Sequence, residues 1–296
     1  MLKYYIQEAL EPTLLFGTIG CLLGIVVASF YIKVNLVTAV LLIVGIFFAH
    51  ISVNVIDDYV DYKRGIDAET TKTKFSGGSS LIVNGTLKAK NVLLLGLCSF
   101  LIAAIIGLYL IVQAPIAIPF VIVGGLSILL YASYLVNVPY LAEPLTALNF
   151  MLIGLGSFVV ISSSTMHILS AFLVTLPAGI MVGTALLVNE MPDRKADGKH
   201  GRRSAVVMFN SNAKSAYYYL VLQFISYGAI VYGVATKLLP YTELIVFIIS
   251  PIVAICFLAI KSYQSAKTFE KYMGLNAIHS LLLPVLLIVG YVLVIL

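Results

Sequence analysis

HISVNVIDDYVDYKRGID, residues His50 to Asp67, is the stretch on which the reading of this chain turns. An apolar run, NLVTAVLLIVGIFFA (Asn35 to Ala49), leads straight into it. Asp57, Asp58 and Asp61 then place three carboxylates within five residues. At 3.6 residues per turn, His50, Asn54, Asp57, Asp58 and Asp61 share one helical face. Two unit charges ~4 Å apart repel by ~1 kcal/mol in water and ~4 kcal/mol at an effective dielectric near 20. Three carboxylates at the end of an apolar helix therefore require a cation. An all-oxygen donor set at this spacing suits a hard one such as Mg2+.

Composition says where that helix sits. The chain has 296 residues, 61% of them hydrophobic and 10% charged, with a mean hydropathy of +1.06. These values exclude an ordinary soluble domain and a nucleic-acid binder, and predict an all-α, multi-pass membrane protein. Nine spans are expected, at about 13–31, 35–56, 91–112, 116–134, 144–162, 168–188, 215–236, 243–261 and 275–295, bundled around a central cavity. No cleavable signal peptide is read at the start. Cys21, Cys98 and Cys256 each lie inside an apolar run and read as packing residues. With the N-terminus cytoplasmic, only Lys33 and Lys237 fall on the outer side, leaving 16 of the 18 Lys and Arg within. The positive-inside rule then makes the acidic joints cytoplasmic and puts the C-terminus outside.

A second acidic stretch follows the sixth span: NEMPDRKADGKHGRRS, Asn189 to Ser204. Asn189, Asp193 and Asp197 stand at i, i+4 and i+8, one face of a continuing helix. Pro192 should kink or interrupt it. Basic residues trail both acidic stretches: Lys63, Arg64, Lys72 and Lys74 after the first, and Lys199, Arg202 and Arg203 after the second. The pattern of apolar helix, Asn, paired Asp and basic loop occurs twice. It suggests a single domain, 1–296, of two four-helix halves (about 13–134 and 144–261) and a final helix at 275–295.

Two carboxylate clusters facing one another can hold Mg2+ ions through Asp57, Asp58, Asp61, Asp193 and Asp197. Lys63, Arg64, Lys199, Arg202, Arg203 and Asn189 are then candidates for gripping a diphosphate. That equipment suits ionisation of an allylic diphosphate, whose departing charge fixed cations stabilise. Asp61 and Asp193 carry the largest expected roles. Asn54 is expected to ligate or orient a ligand, unless it serves helix packing. Tyr131 either shields a carbocation or belongs to an interfacial aromatic belt. His50 reads as a packing histidine, and Glu143 as a weak candidate for a base.

On these motifs the chain resembles the UbiA superfamily of intramembrane prenyltransferases. The first motif of that family, Asn-Asp-x-x-Asp, is matched by Asp57-Asp58-Tyr59-Val60-Asp61, with Asp57 in place of the usual Asn. The second is matched by Asp193, Asp197, Gly201, Arg202 and Arg203. The resemblance covers almost the whole chain. It implies nine helices, Mg2+, an isoprenyl diphosphate (geranylgeranyl or longer), an aromatic acceptor, and the lipid bilayer as surroundings. Tyr62 to Asp67 and the stretch FSGGSSLIVNGTL (Phe75 to Leu87) are closest to the branch that prenylates 1,4-dihydroxy-2-naphthoate for menaquinone. Acceptors such as 4-hydroxybenzoate or a glycerolipid are alternatives. From outside the family, a secondary transporter or an ion-binding membrane protein also accounts for repeats and interrupted helices.

Overall fold

A computed structural model describes residues 2–10, 13–69, 73–75 and 79–295. Lys72 and residues 76–78 of the glycine–serine stretch lie outside the described residues. Among the described residues every regular element is helical: α1 (Leu2–Ala9), α2 (Leu14–Ser29), α3 (Leu36–Arg64), α4 (Ile66–Glu69), α5 (Ala89–Gln113), α6 (Ile118–Leu130), α7 (Ala142–Ser162), α8 (Ile168–Lys199), α9 (Ala205–Phe209), α10 (Asn212–Ala235), α11 (Pro251–Lys261) and α12 (Ala266–Ile295). Short 3-10 turns precede α6, α7 and α11.

Among the described residues seven helices are long and apolar enough to cross a membrane: α3, α5, α7, α8, α10, the segment Tyr241–Lys261 that ends in α11, and α12. The pair α1 and α2, bent by 53°, raises the count to eight. Pro115–Leu130 is apolar but shorter. The expected multi-pass helical architecture is thus present, with seven to eight spans by length and composition against nine expected.

Burial sorts the helices into centre and rim. α8 has 78% of its apolar window buried and α5 only 17%. Along α5, Leu94, Leu97, Leu101, Ile105, Leu108 and Val112 are all exposed, at steps of three and four. An apolar stripe turned outward at helical spacing is the face that lipid covers. At the centre, small residues let backbones approach closely. A side chain at Gly24 of α2 would collide with the Gly154 carbonyl of α7. One at Gly183 of α8 would stand 2.8 Å from the Glu143 carbonyl of α7. Deep in this bundle a water-sized apolar void lies among Phe16, Gly20, Phe150, Ala178, Val182 and Pro284.

The ends of α3 and α8 set the position of the acidic residues. Asn35 caps the start of α3, its side chain accepting the Val37 and Thr38 amides at 2.9 and 3.3 Å. At the other end Gly65, at φ 79°, bonds back to the carbonyls of Asp61 and Tyr62. The left-handed turn stops α3 just after its carboxylates. α8 behaves otherwise. It runs unbroken through both Pro177 and Pro192 to Lys199, so the interruption expected at Pro192 does not occur. A proline removes one bond of the ladder, and α8 is held on several sides by packing that outweighs the loss.

Candidate active site

α3 and α8 end at the same face of the bundle, and Arg202 joins them. After α8 the chain turns at Gly201 (φ 90°) and doubles back. The Arg202 amide bonds to the Asp197 carbonyl at 3.0 Å. Its guanidinium crosses to α3, with Nη2 2.5 Å from Asp61 Oδ2 and 3.3 Å from Asp57 Oδ1. Burial alone pulls this guanidinium down. The carboxylates of Asp57, Asp61 and Asp197 outweigh that and hold it well above its ordinary value. Arg202 is therefore a permanent cation set among three carboxylates.

The loop that delivers it is fastened from both sides. The Arg203 amide bonds to Val136 O at 3.1 Å, and Arg203 O accepts the Tyr140 amide at 2.9 Å. Both oxygens of Glu143, buried in α7, accept the Ala205 amide at 2.9 and 3.0 Å. The Ser204 side chain caps α9. Glu143 is thus a fastener of the Arg202 loop, a role that differs from the base suggested by its sequence position.

The first motif has further partners. Asp58 Oδ2 accepts the Ser79 amide at 3.3 Å, tying the loop before α5 to the site. Arg64 leaves the carboxylates and binds Ser133 O at 2.7 Å and Asn137 Oδ1 at 3.1 Å. Asn54 donates to Thr13 Oγ1 at 2.7 Å and so holds the chain before α2. Tyr131 lies within electrostatic reach of Asp57 and Arg202, and its hydroxyl stands 3.4 Å from Thr146 Oγ1. A phenol is neutral at ordinary pH. His50 packs edge-on against Phe150, while its buried Nδ1 finds no hydrogen-bond partner.

Not every expected residue gathers here. Lys199 reaches outward to Glu69, with its Nζ 2.7 Å from both carboxylate oxygens. Lys63 lies over the Tyr59 ring at 5.9 Å. Arg203 meets the loop through its backbone. Asp197 is buried at the end of α8, and Asp193 and Asn189 lie on the turns before it. Glu190, buried at 5% exposure, joins this end of α8 although the motif pattern passes over it. Its place at i−3 from Asp193 and i−7 from Asp197 marks the same face, a signal that spacing alone contains.

The donors fit a small hard cation. All are carboxylate oxygens, and Asp61 Oδ1 is buried with no hydrogen-bond partner. Among the described residues no three His, Cys, Asp or Glu side chains already converge as a metal cage. Mg2+ does not need one, since it commonly takes one or two carboxylates and completes its shell from substrate phosphates and water.

Residues 17–281 match the model of the UbiA prenyltransferase family. Over 201 residues the chain is 30% identical to the 1,4-dihydroxy-2-naphthoate octaprenyltransferase of Bacillus subtilis (strain 168). That match takes in 66% of this chain and spans 62% of the relative's length. The fold is similar to the apo structure of a UbiA homologue from Aeropyrum pernix K1, with a TM-score of 0.68, 14% identity and coverage of 100% and 99% of the two chains. It is also similar to a UbiA homologue from Archaeoglobus fulgidus bound to DMAPP and Mg2+, with a TM-score of 0.55, 16% identity and coverage of 96% and 99%.

Proposed function

The chain belongs to the UbiA prenyltransferase family, and from that premise we propose that it is a Mg2+-dependent prenyltransferase acting within the membrane. It transfers an isoprenyl group from an isoprenyl diphosphate to an aromatic acceptor of the 1,4-dihydroxy-2-naphthoate type. The observation that carries this reading is the meeting of Asp57 and Asp61 with Arg202, delivered from the far acidic stretch. The naphthoate branch is supported by the Bacillus relative.

Asp57, Asp58, Asp61, Asp193 and Asp197 would hold Mg2+. When bound, it screens the diphosphate and stabilises the charge gained by the bridging oxygen. Arg202 keeps its charge in this buried place and can turn it from Asp57 and Asp61 toward the departing diphosphate. The allylic C–O bond breaks with both electrons leaving on the diphosphate. A carbon of the acceptor ring supplies the pair for the new C–C bond, and the ring regains aromaticity by releasing carbon dioxide. The neutral Tyr131 ring is suited to stand beside the cation, and the surrounding helices keep water from it. The acidic face is cytoplasmic and the C-terminus outside, since 16 of the 18 Lys and Arg fall on the acidic side. Nine crossings in two halves and a final helix complete the arrangement.

The test is product identification. Purified protein in lipid nanodiscs receives Mg2+, labelled geranylgeranyl or longer diphosphate, and 1,4-dihydroxy-2-naphthoate or 4-hydroxybenzoate in parallel. A prenylated naphthol that has lost its carboxylate is expected. Prenyl 4-hydroxybenzoate alone would move the chain to another branch, and absence of diphosphate release with every acceptor would remove the enzyme reading.

A further inference from the structure

The N-terminal helix brings a carboxylate that neither acidic motif contains. α1 turns Leu2, Ile6 and Leu10 outward, one turn apart, as a helix lying at a membrane surface does. Tyr5, Glu8 and Ala9 form its opposite face. Tyr5 and Ala9 pack on an apolar cluster of Leu14, Ile51, Val55, Leu81, Ile82 and Leu87, which joins α3 to the loop before α5. The Tyr5 hydroxyl accepts Asn91 Nδ2 at 2.8 Å. At the far end of the segment Thr13 accepts the Asn54 side chain at 2.7 Å. Tyr5 and Ala9 therefore hold the helix on both sides of Glu8.

Glu8 itself is 1% exposed. Its carboxyl lies within reach of the Ser79 side chain and of the Asp58 carboxyl, so two acids are brought together out of water. Ser79 already gives its amide to Asp58. Two carboxyls brought together in a buried place are held by a shared proton or by a cation between them. The apolar contacts of Tyr5 and Ala9 fix the helix rotation and direct Glu8 to that spot. A surface helix with no further task would place such a residue toward water.

We infer that Glu8 is a further ligand of the site's divalent cation, delivered by α1 to the side of Asp58. The inference rests on the proposal that the acidic face binds a divalent cation. It assigns α1 and its Tyr5–Asn91 bond a positioning role.

The test reads metal binding and not turnover. The full chain in nanodiscs is titrated with Mn2+ in saturating inorganic diphosphate, and bound ion is followed by electron paramagnetic resonance. Glu8→Gln keeps shape and removes charge, and should raise the Mn2+ Kd by about tenfold or more. Tyr5→Phe leaves the carboxylate but frees the helix, and should raise it by a smaller factor. Glu8→Asp retracts the charge by one methylene and should weaken binding as well, which covers the case where Glu8→Gln does not fold. An unchanged Kd in Glu8→Gln or Glu8→Asp, with binding lost in Asp58→Asn, overturns the assignment of Glu8 alone. No bound Mn2+ in the unmodified protein overturns the cation reading of the whole face, and this inference with it.

Discussion

The ends of α3 and α8 carry similar residues and finish differently. α3 stops at Gly65, so Asp57, Asp58 and Asp61 lie on the last turns of a rigid, capped helix. α8 continues through Pro192 past Glu190, Asp193 and Asp197, then turns and sends Arg202 back to α3. The α3 end turns its own cations, Lys63 and Arg64, to the Tyr59 ring and to the loop before α7. The other supplies anions and the cation that neutralises its partner. Charge balance in this site is therefore made between the two ends, across 141 residues of chain, and not within either. A change at α3 should act on its own turn, whereas a change at Arg202 should act on both helices.

The largest effect should follow Arg202→Ala. It strands Asp57, Asp61 and Asp197 in a place where the Arg202 side chain is only 11% exposed. Removing one partner of a buried ion pair costs about 3–5 kcal/mol. Thermal unfolding in detergent should show a correspondingly lower Tm, and Arg202→Lys should fall between, since it keeps charge without the fork. A melting curve like that of the unmodified protein would break the contrast.

Next come Asp61→Asn and Asp193→Asn, one from each end. Each keeps the shape of the side chain and removes a charge that the proposed chemistry needs. Product formation should fall by about 10²–10³-fold with the fold retained. Near-normal turnover in the second alone would show that the α8 end serves the fold and not the reaction.

A smaller effect belongs to Arg64→Ala. Its two hydrogen bonds, to Ser133 O and Asn137, tie the end of α3 to the loop before α7. In a partly exposed setting their loss should cost about 1 kcal/mol. If Tyr131 is positioned through this loop, KM for the acceptor should rise more than KM for the prenyl diphosphate.

These experiments test what the sequence makes visible and what it hides. Apolar runs near membrane length reveal the long helices: the run expected at 144–162 is α7, Ala142–Ser162, whereas the run expected at 116–134 is apolar but shorter. The i, i+4, i+8 spacing shows Asp193 and Asp197 on one face, and an intact α8 keeps them there. Spacing does not reveal partners distant in the chain. Asn54 shares a face with the carboxylates but meets Thr13, 41 residues away. Glu143 stands alone in its joint, yet clamps Ala205 after the chain has crossed and returned. Pro192 counts as a breaker by local rules, and packing around α8 overrides them. Glu8 sits in a short amphipathic segment too brief for periodicity to show which face turns inward.

The smallest effect is expected at Lys199, and it separates the interior of the α8 end from its outer surface. Lys199 and Arg202 are three residues apart and both meet a carboxylate, but in different surroundings. Lys199 Nζ lies 2.7 Å from Glu69, and both side chains are exposed to water. Lys199 first, and then His200, hold the Glu69 carboxyl below its ordinary value. A carboxylate with a lowered folded pKa contributes stability above its unfolded pKa, and that contribution fades as pH falls through the folded value. The window therefore lies in the acid range below the usual carboxylate pKa, and neutral pH leaves the pair intact. Exposed pairs are screened by salt and offset by the entropy of ordering long side chains. Lys199→Ala should leave Tm without a resolvable change at pH 7. Whatever small change appears in dilute buffer should vanish at about 0.5 M salt or once the pH drops below the carboxylate range. A Tm loss approaching that of Arg202→Ala, insensitive to salt, would mean that the buried charge network extends through Lys199. The division between a neutralised interior and a solvated rim would then have to be redrawn.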